Sequence, residues 1–198
     1  MIERQRSRLF FAFEISEEVR TEANRIQKAM QGRLALSDAR WADPADMHIT
    51  VLFLGHHPNE RLQSFINIAS DVASAVKPFA VGVNGVGQFP TGGPARVLWM
   101  GAWEPHNHPA SQIIGRLRRQ LPDIPTDHPS YRPHITLAYV QRTADRDKIS
   151  DALTAARSNK EMSMIVDRLV LMQTIPPQER RKSNSARYNT VQVFPFSV

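Results

Sequence analysis

His48-Ile49-Thr50 and His134-Ile135-Thr136 are the segments of this 198-residue chain whose residue types and spacing could do chemistry. Each runs on into aliphatic residues, Val51-Leu52 in the first and Leu137-Ala138 in the second. In an extended strand, side chains two apart share a face, so each segment delivers one imidazole and one hydroxyl to the same side. Histidine, with an ordinary pKa of about 6.5, can take or give a proton near neutrality. Two such strands side by side across a cleft would make a four-residue site able to transfer protons and bind an anion without a metal.

The rest of the composition closes off other chemistries. There is no cysteine, which removes disulfides, thiolate zinc sites and thiol nucleophiles together. His56, His57, His106, His108 and His128 fall in predicted turns and loops, form no zinc spacing and read as solvated residues, so no metal is expected. No Walker-type glycine loop and no Gly-x-Ser-x-Gly elbow occurs. With 25 basic against 19 acidic residues the net charge is +6, which favours an anionic partner such as a nucleic acid or nucleotide.

Hydrophobic residues at 41% and charged residues at 22% suit a folded chain. No apolar run approaches the roughly 20 residues a membrane-spanning helix needs. The start, Met1 to Arg6, is charged and lacks a secretory pattern, so a cytoplasmic location and no membrane partner are expected.

The elements that must position the two segments follow from hydrophobic period. Arg8 to Ile15 reads as a buried strand. Ser16 then caps a helix with Val19, Ala23, Ile26 and Met30 on one face, ending near Gly32. Arg40 to Pro44 reads as a turn-like approach to a strand from His48 to Leu54. Asn59 is placed as the cap of a second helix, Phe79 to Val86 and Arg96 to Met100 as neighbouring strands, and a third helix follows Pro109. The second histidine strand spans His134 to Val140. A fourth helix is expected from about Thr143 to Arg157, one long strand from Ser163 to Gln173, and a last strand from Tyr188 to Phe194.

This order passes twice through strand-helix-strand units, with a His-Ile-Thr strand in each half. It predicts an α+β protein of two pseudo-symmetric lobes, each a mainly antiparallel sheet with helices packed outside and the active-site cleft between them. Residues 1–198 are expected to form a single two-lobed domain with internal duplication, acting as a monomer. Trp41, Phe89 and Trp99 read as core aromatics that could also stack on a base. The Arg180-Arg181-Lys182 run reads as a solvated loop that could grip phosphate.

Paired His-x-Thr strands resemble the two-histidine phosphoesterase superfamily, and specifically the RNA 2',3'-cyclic phosphodiesterases historically called 2'-5' RNA ligases. The likeness spans nearly the whole chain. It includes Arg8-Leu9-Phe10-Phe11-Ala12-Phe13-Glu14, Arg40-Trp41 through His48-Ile49-Thr50-Val51-Leu52-Phe53-Leu54-Gly55, Gly87-Gln88-Phe89-Pro90, Arg96-Val97-Leu98-Trp99 and Pro133-His134-Ile135-Thr136.

What the resemblance implies is a hydrolase that needs no cofactor and opens 2',3'-cyclic phosphates on RNA ends or cyclic nucleotides to 2'-phosphates. His134 would be the base and His48 the acid, with Thr50 and Thr136 as hydrogen-bond donors. Other activities of the same site would be 2'-5' RNA ligation or cleavage of 2'-5' oligonucleotides; a different class would be a catalytically silent RNA-binding module. Many members carry an arginine five positions after the second histidine, where this chain has Tyr139. That leaves phosphate binding to Arg132, to Arg187 or to the Tyr139 hydroxyl, with Trp41 on the substrate side.

Overall fold

The computed structural model describes residues 6–35, 37–125, 131–142, 144–158, 160–179 and 186–197. The first strand, β1 (Arg6–Glu14), buries Phe10 and Ala12 on one face and Leu9, Phe11 and Phe13 on the other, as a central strand must. Ser16 ends it and caps helix α1 (Glu17–Gln31): its hydroxyl accepts from the Val19 amide at 3.3 Å, and Glu17 and Glu18 occupy the dipole-favoured first turn. The helix buries Val19, Ala23, Ile26 and Met30, and with them the polar side chain of Gln27.

A short strand, β2 (Ala39–Trp41), leads through a 3₁₀ turn at Pro44–Asp46 into β3 (His48–Pro58). Then come α2 (Leu62–Ser74), β4 (Phe79–Phe89), β5 (Val97–Trp103), α3 (Pro109–Gln120) and β6 (His134–Val140). The chain ends with α4 (Arg146–Ala155), β7 (Met162–Val166), β8 (Arg168–Thr174) and β9 (Tyr188–Pro195).

The strands form one antiparallel sheet in the order β7-β4-β5-β6-β3-β1-β8-β9, with β2 added beside β6. Its weak joint is in the middle. β1 pairs β3 from Arg6 to Glu14, whereas β3 and β6 meet at the single pair Ile49 and Ile135. Two lobes, β7-β4-β5-β6 and β3-β1-β8-β9, therefore part at the histidine strands and leave a cleft along the seam. Helices cover the other face: α1 packs on α4, β6 and β7, while α2 packs on α3, β8 and β9.

Ile49 and Ile135 are 1% and 0% exposed. Burying each contributes about 1.5–3 kcal/mol. A one-residue slip would exchange isoleucine for histidine in the core, so hydrophobicity fixes the register that turns both His-Thr pairs outward.

Several sequence expectations are corrected. The approach to His48 is partly a strand, β2, which pairs with Tyr139 and its neighbours. The single strand expected from Ser163 to Gln173 is two: β7 pairs β4 in one lobe and β8 pairs β1 in the other, with the break at Asp167. Asp167 anchors the crossing, its carboxylate accepting from Arg168 at 2.7 Å and its carbonyl from the Phe196 amide at 2.8 Å. Asn59 does not cap α2; its side-chain oxygen accepts from the Ser7 hydroxyl at 2.8 Å, and a 3₁₀ turn at Asn59–Arg61 starts the helix. Asp145 caps α4, accepting from the Asp147 amide at 2.8 Å, so that helix begins later than expected.

Candidate active site

Carrying the Ile49 to Ile135 register one residue either way sets His48 opposite Thr136 and Thr50 opposite His134. All four share the face away from the buried isoleucines. The histidines occupy one diagonal of this square and the threonines the other. Diagonal neighbours on paired strands stand about 7–8 Å apart, room for one tetrahedral anion between two imidazoles.

Both rings are tethered alike. Nδ1 of His48 lies 2.7 Å from the Asp46 carbonyl oxygen, and Nδ1 of His134 lies 2.8 Å from that of Arg132. A carbonyl only accepts, so Nδ1 carries the donated proton in each neutral ring and Nε2 is left as the base. Their surroundings differ. His48 sits 5.0 Å from the Phe10 ring and 5.2 Å from the Tyr188 ring, whereas His134 meets the edge of Phe89 at 5.0 Å. Burial pushes His48 down to about 4, the charges of His134 and Arg187 adding to the effect and the bond to the Asp46 carbonyl opposing it.

Beyond the square, both strands bulge at the same place. Thr50 pairs with Ala12 and Leu52 with Phe11, leaving Val51 extra; Thr136 pairs with Trp99 and Ala138 with Leu98, leaving Leu137 extra. One extra residue reverses the alternation. Phe53 and Tyr139, each five positions after its histidine, therefore reach the cleft face instead of the core. Gln27, 3% exposed, braces the second bulge from α1: its Nε2 donates to the Leu137 carbonyl at 2.9 Å and the Ala42 carbonyl at 2.7 Å.

Tyr139 stands against two guanidinium groups. Arg40 Cζ lies 4.4 Å and Arg187 Cζ 5.2 Å from its ring centre, within cation–π range. Asp46 holds the second of these in place, both carboxylate oxygens accepting from the Arg187 amide at 3.0 Å while its own carbonyl holds His48. Nε of Arg187 and Nε1 of Trp41 are buried without a hydrogen-bond partner among the described residues, donors that a ligand oxygen can satisfy. Arg40, Trp41, His48, Thr136, Tyr139 and Arg187 line one cavity of about 220 Å³.

Most residues singled out from sequence thus meet. His48, Thr136, Tyr139, Trp41 and Arg187 line the cavity, and Thr50 and His134 complete the square. Arg132 lies at the far end of β6 with an exposed side chain outside that cavity, and its contribution is the carbonyl that orients His134. Phe89 packs on Trp99 at 5.2 Å. His57 turns to the Leu54 carbonyl at 2.8 Å and the Phe65 ring at 5.0 Å. His128 and Arg180-Arg181-Lys182 lie outside the described residues.

Sequence reasoning missed Arg40, Asp46, Tyr188 and Gln27. Arg40 and Asp46 flank the first histidine strand at positions no period marks, Tyr188 passed as an ordinary strand start, and Gln27 is a polar residue inside an apolar helix face. Among the described residues no group of three or more histidines and carboxylates is set to hold a metal ion, and no helix is long and apolar enough to cross a membrane.

Comparison with known proteins fits this geometry. An RNA 2',3'-cyclic phosphodiesterase of Methanothermobacter thermautotrophicus is 26% identical over 170 residues, covering 83% of this chain and 88% of the relative. One of Thermus thermophilus is 29% identical over 148 residues, covering 70% and 71%. In fold, a solved structure from Thermus thermophilus aligns with a TM-score of 0.74 at 24% identity over 96% of this chain and 97% of that one. E. coli LigT, solved with 3'-AMP, aligns with a TM-score of 0.70 at 19% identity over 98% and 100%. The model of the 2'-5' RNA ligase superfamily matches residues 15–175. With that match across most of its length, the chain belongs to the 2'-5' RNA ligase superfamily.

Proposed function

We propose that this protein is an RNA 2',3'-cyclic phosphodiesterase that opens cyclic ends to 2'-phosphates by paired histidine acid–base catalysis. The observation that carries the reading is the square, with proton carriers on one diagonal and hydroxyl donors on the other. The names of the relatives, RNA 2',3'-cyclic phosphodiesterases, support it.

A cyclic phosphate centred in the square has an imidazole on each side of phosphorus. Nε2 of His134 takes a proton from water as its oxygen bonds to phosphorus. The bond to the 3' oxygen breaks on the opposite side, and Nε2–H of His48 protonates that oxygen. Each proton transfer is worth roughly 10²–10⁴-fold. Thr50 and Thr136 donate to the non-bridging oxygens, where negative charge grows.

Arg187 and Arg40 supply the positive charge at the place where Tyr139 replaces an arginine. Burial and neighbouring Tyr139 push the Tyr188 phenol up to about 12, so it stays a protonated donor beside His48. Before substrate binds, His48 is neutral. The phosphate's negative charge offsets the positive charge of Arg187, which favours protonation of His48 when substrate enters.

The test is an assay, with EDTA present, on an RNA ending in a 2',3'-cyclic phosphate, with the product isomer identified. A 2'-phosphate is expected, and His48→Ala or His134→Ala lowers the rate at least 10²-fold while circular dichroism is unchanged. Near-normal rates in both variants would sink the mechanism.

A further inference from the structure

The two arginines of the cavity stand at different distances from the chemistry. The cavity opens off the rung of the square made by His48 and Thr136, both of which line it, and runs on past the bulge to Tyr139. Arg187 stands near the square. Its charge acts on His48, and its Cζ lies 5.6 Å from the centre of the Tyr188 ring that packs against that histidine. Arg40 stands at the far end: it pairs with Tyr139 across β2 and β6, and its Cζ lies 4.4 Å from the centre of that ring.

A 2',3'-cyclic phosphate carries one negative charge, which Arg187 meets beside the square. The carboxylates on the lining, Asp43 and Asp46, are turned to backbone amides, Ala45 at 2.9 Å and Arg187 at 3.0 Å. Arg40 is a second cation, beyond them. Trp41, next to it on the lining, has its Nε1 buried without a hydrogen-bond partner among the described residues, a donor that calls for an acceptor.

Ribose chemistry says what reaches this end. In the reaction above His48 protonates O3', so O3' and C3' lie on the cavity side of phosphorus. C4', C5' and O5' follow C3', whereas C2' leads to C1' and the base on the other side. The 5' chain therefore runs into the cavity. Its volume of about 220 Å³, against roughly 30 Å³ for one water, has room for C5', O5' and a phosphate group.

We propose that Arg40, with the indole N–H of Trp41, forms a subsite for the phosphate on O5' of the terminal nucleotide, the group that links it to the rest of an RNA. This rests on the phosphodiesterase reading with His48 as the acid. A phosphate there offers only acceptors, to a guanidinium and a donor that lacks one. The subsite makes the protein favour a cyclic end that belongs to a chain over a lone nucleoside cyclic phosphate.

The test compares kcat/KM for three substrates with the same base and cyclic end: one with a free 5' hydroxyl, one with a 5'-phosphate, and a dinucleotide whose linking phosphate is on that O5'. In the native protein the 5'-phosphate and the link each raise kcat/KM about tenfold over the free hydroxyl, through KM, and added salt narrows the gap. Arg40→Gln contracts the gap to within about threefold. Arg40→Lys, which keeps the charge but not the planar fork, retains part of it.

Circular dichroism and melting temperature check that each variant is folded. No gap in the native protein, a gap for the dinucleotide alone, or equal loss on all three substrates in Arg40→Gln overturns the subsite and leaves the phosphodiesterase reading standing. Hydrolysis of none of the three by the native protein overturns both.

Discussion

Strands β3 and β6 present the same His-Ile-Thr, hold the ring through the same Nδ1 bond to a carbonyl two residues back, and bulge three residues after the histidine. Five residues after it they part company. Phe53 stands exposed at the open end of the cleft, while Tyr139 is stacked against Arg40 and Arg187 in the cavity. The rings differ too, His48 being wedged between Phe10 and Tyr188 and His134 touching Phe89. In the proposed reaction, matched backbone fixes where protons enter and leave. Unmatched neighbours desolvate the His48 ring and gather positive charge at one end of the cleft.

The matched part is broken most severely at the hydroxyls. Thr50→Val and Thr136→Val keep shape and β-propensity but remove the donor, and each is expected to lower kcat about 10²–10³-fold in single-turnover assays. Unequal losses would show that charge grows nearer one threonine; no loss in either would reduce both to strand formers. The unmatched part is tested at the cavity. Arg187→Met removes a charged donor whose amide remains held by Asp46, and kcat/KM is expected to fall about ten- to a hundredfold, mainly in KM. Adding Tyr139→Arg to Arg187→Met restores part of that loss if the position five residues after His134 is where the phosphate's charge is met. A double variant no better than the single one would place the anion elsewhere.

These features were unequally legible in the sequence. The His-Ile-Thr strands and the helix face of Val19, Ala23, Ile26 and Met30 could be read because alternation and helical period are local patterns. The cleft position of Tyr139 came from the family resemblance and not from period, because it depends on the bulge at Leu137, and strict alternation from His134 would have turned that tyrosine into the core. The bulge in turn leans on Gln27, 110 residues earlier. Arg40 and Arg187 come from segments that are remote in sequence and converge only through the sheet. Likewise, the split between β7 and β8 at Asp167 is a choice of pairing partner, which an unbroken apolar run does not record.

The smallest expected effect concerns the burial that sets His48 apart. Its proton is held off until about pH 4 in the folded protein, whereas an unfolded histidine binds one near 6.5. With His48 as the acid, the free-protein titration through which it limits kcat/KM is expected near 4 rather than near 6.5. Arg187→Met, which removes one of the depressing charges, moves it upward. Stability carries the same signature. Between about 6.5 and about 4 the unfolded chain binds the proton that the folded one refuses, so stability falls as pH is lowered through that window. One group limits the slope to less than about 1.4 kcal/mol per pH unit, and the partly exposed ring reduces it further. His48→Gln has nothing to titrate and loses this component. The melting temperature of the variant relative to the native protein therefore rises as the pH drops from 6.5 to 4. A constant difference across that range would mean that Phe10 and Tyr188 do not desolvate His48, and that the two histidines differ less than their neighbours suggest.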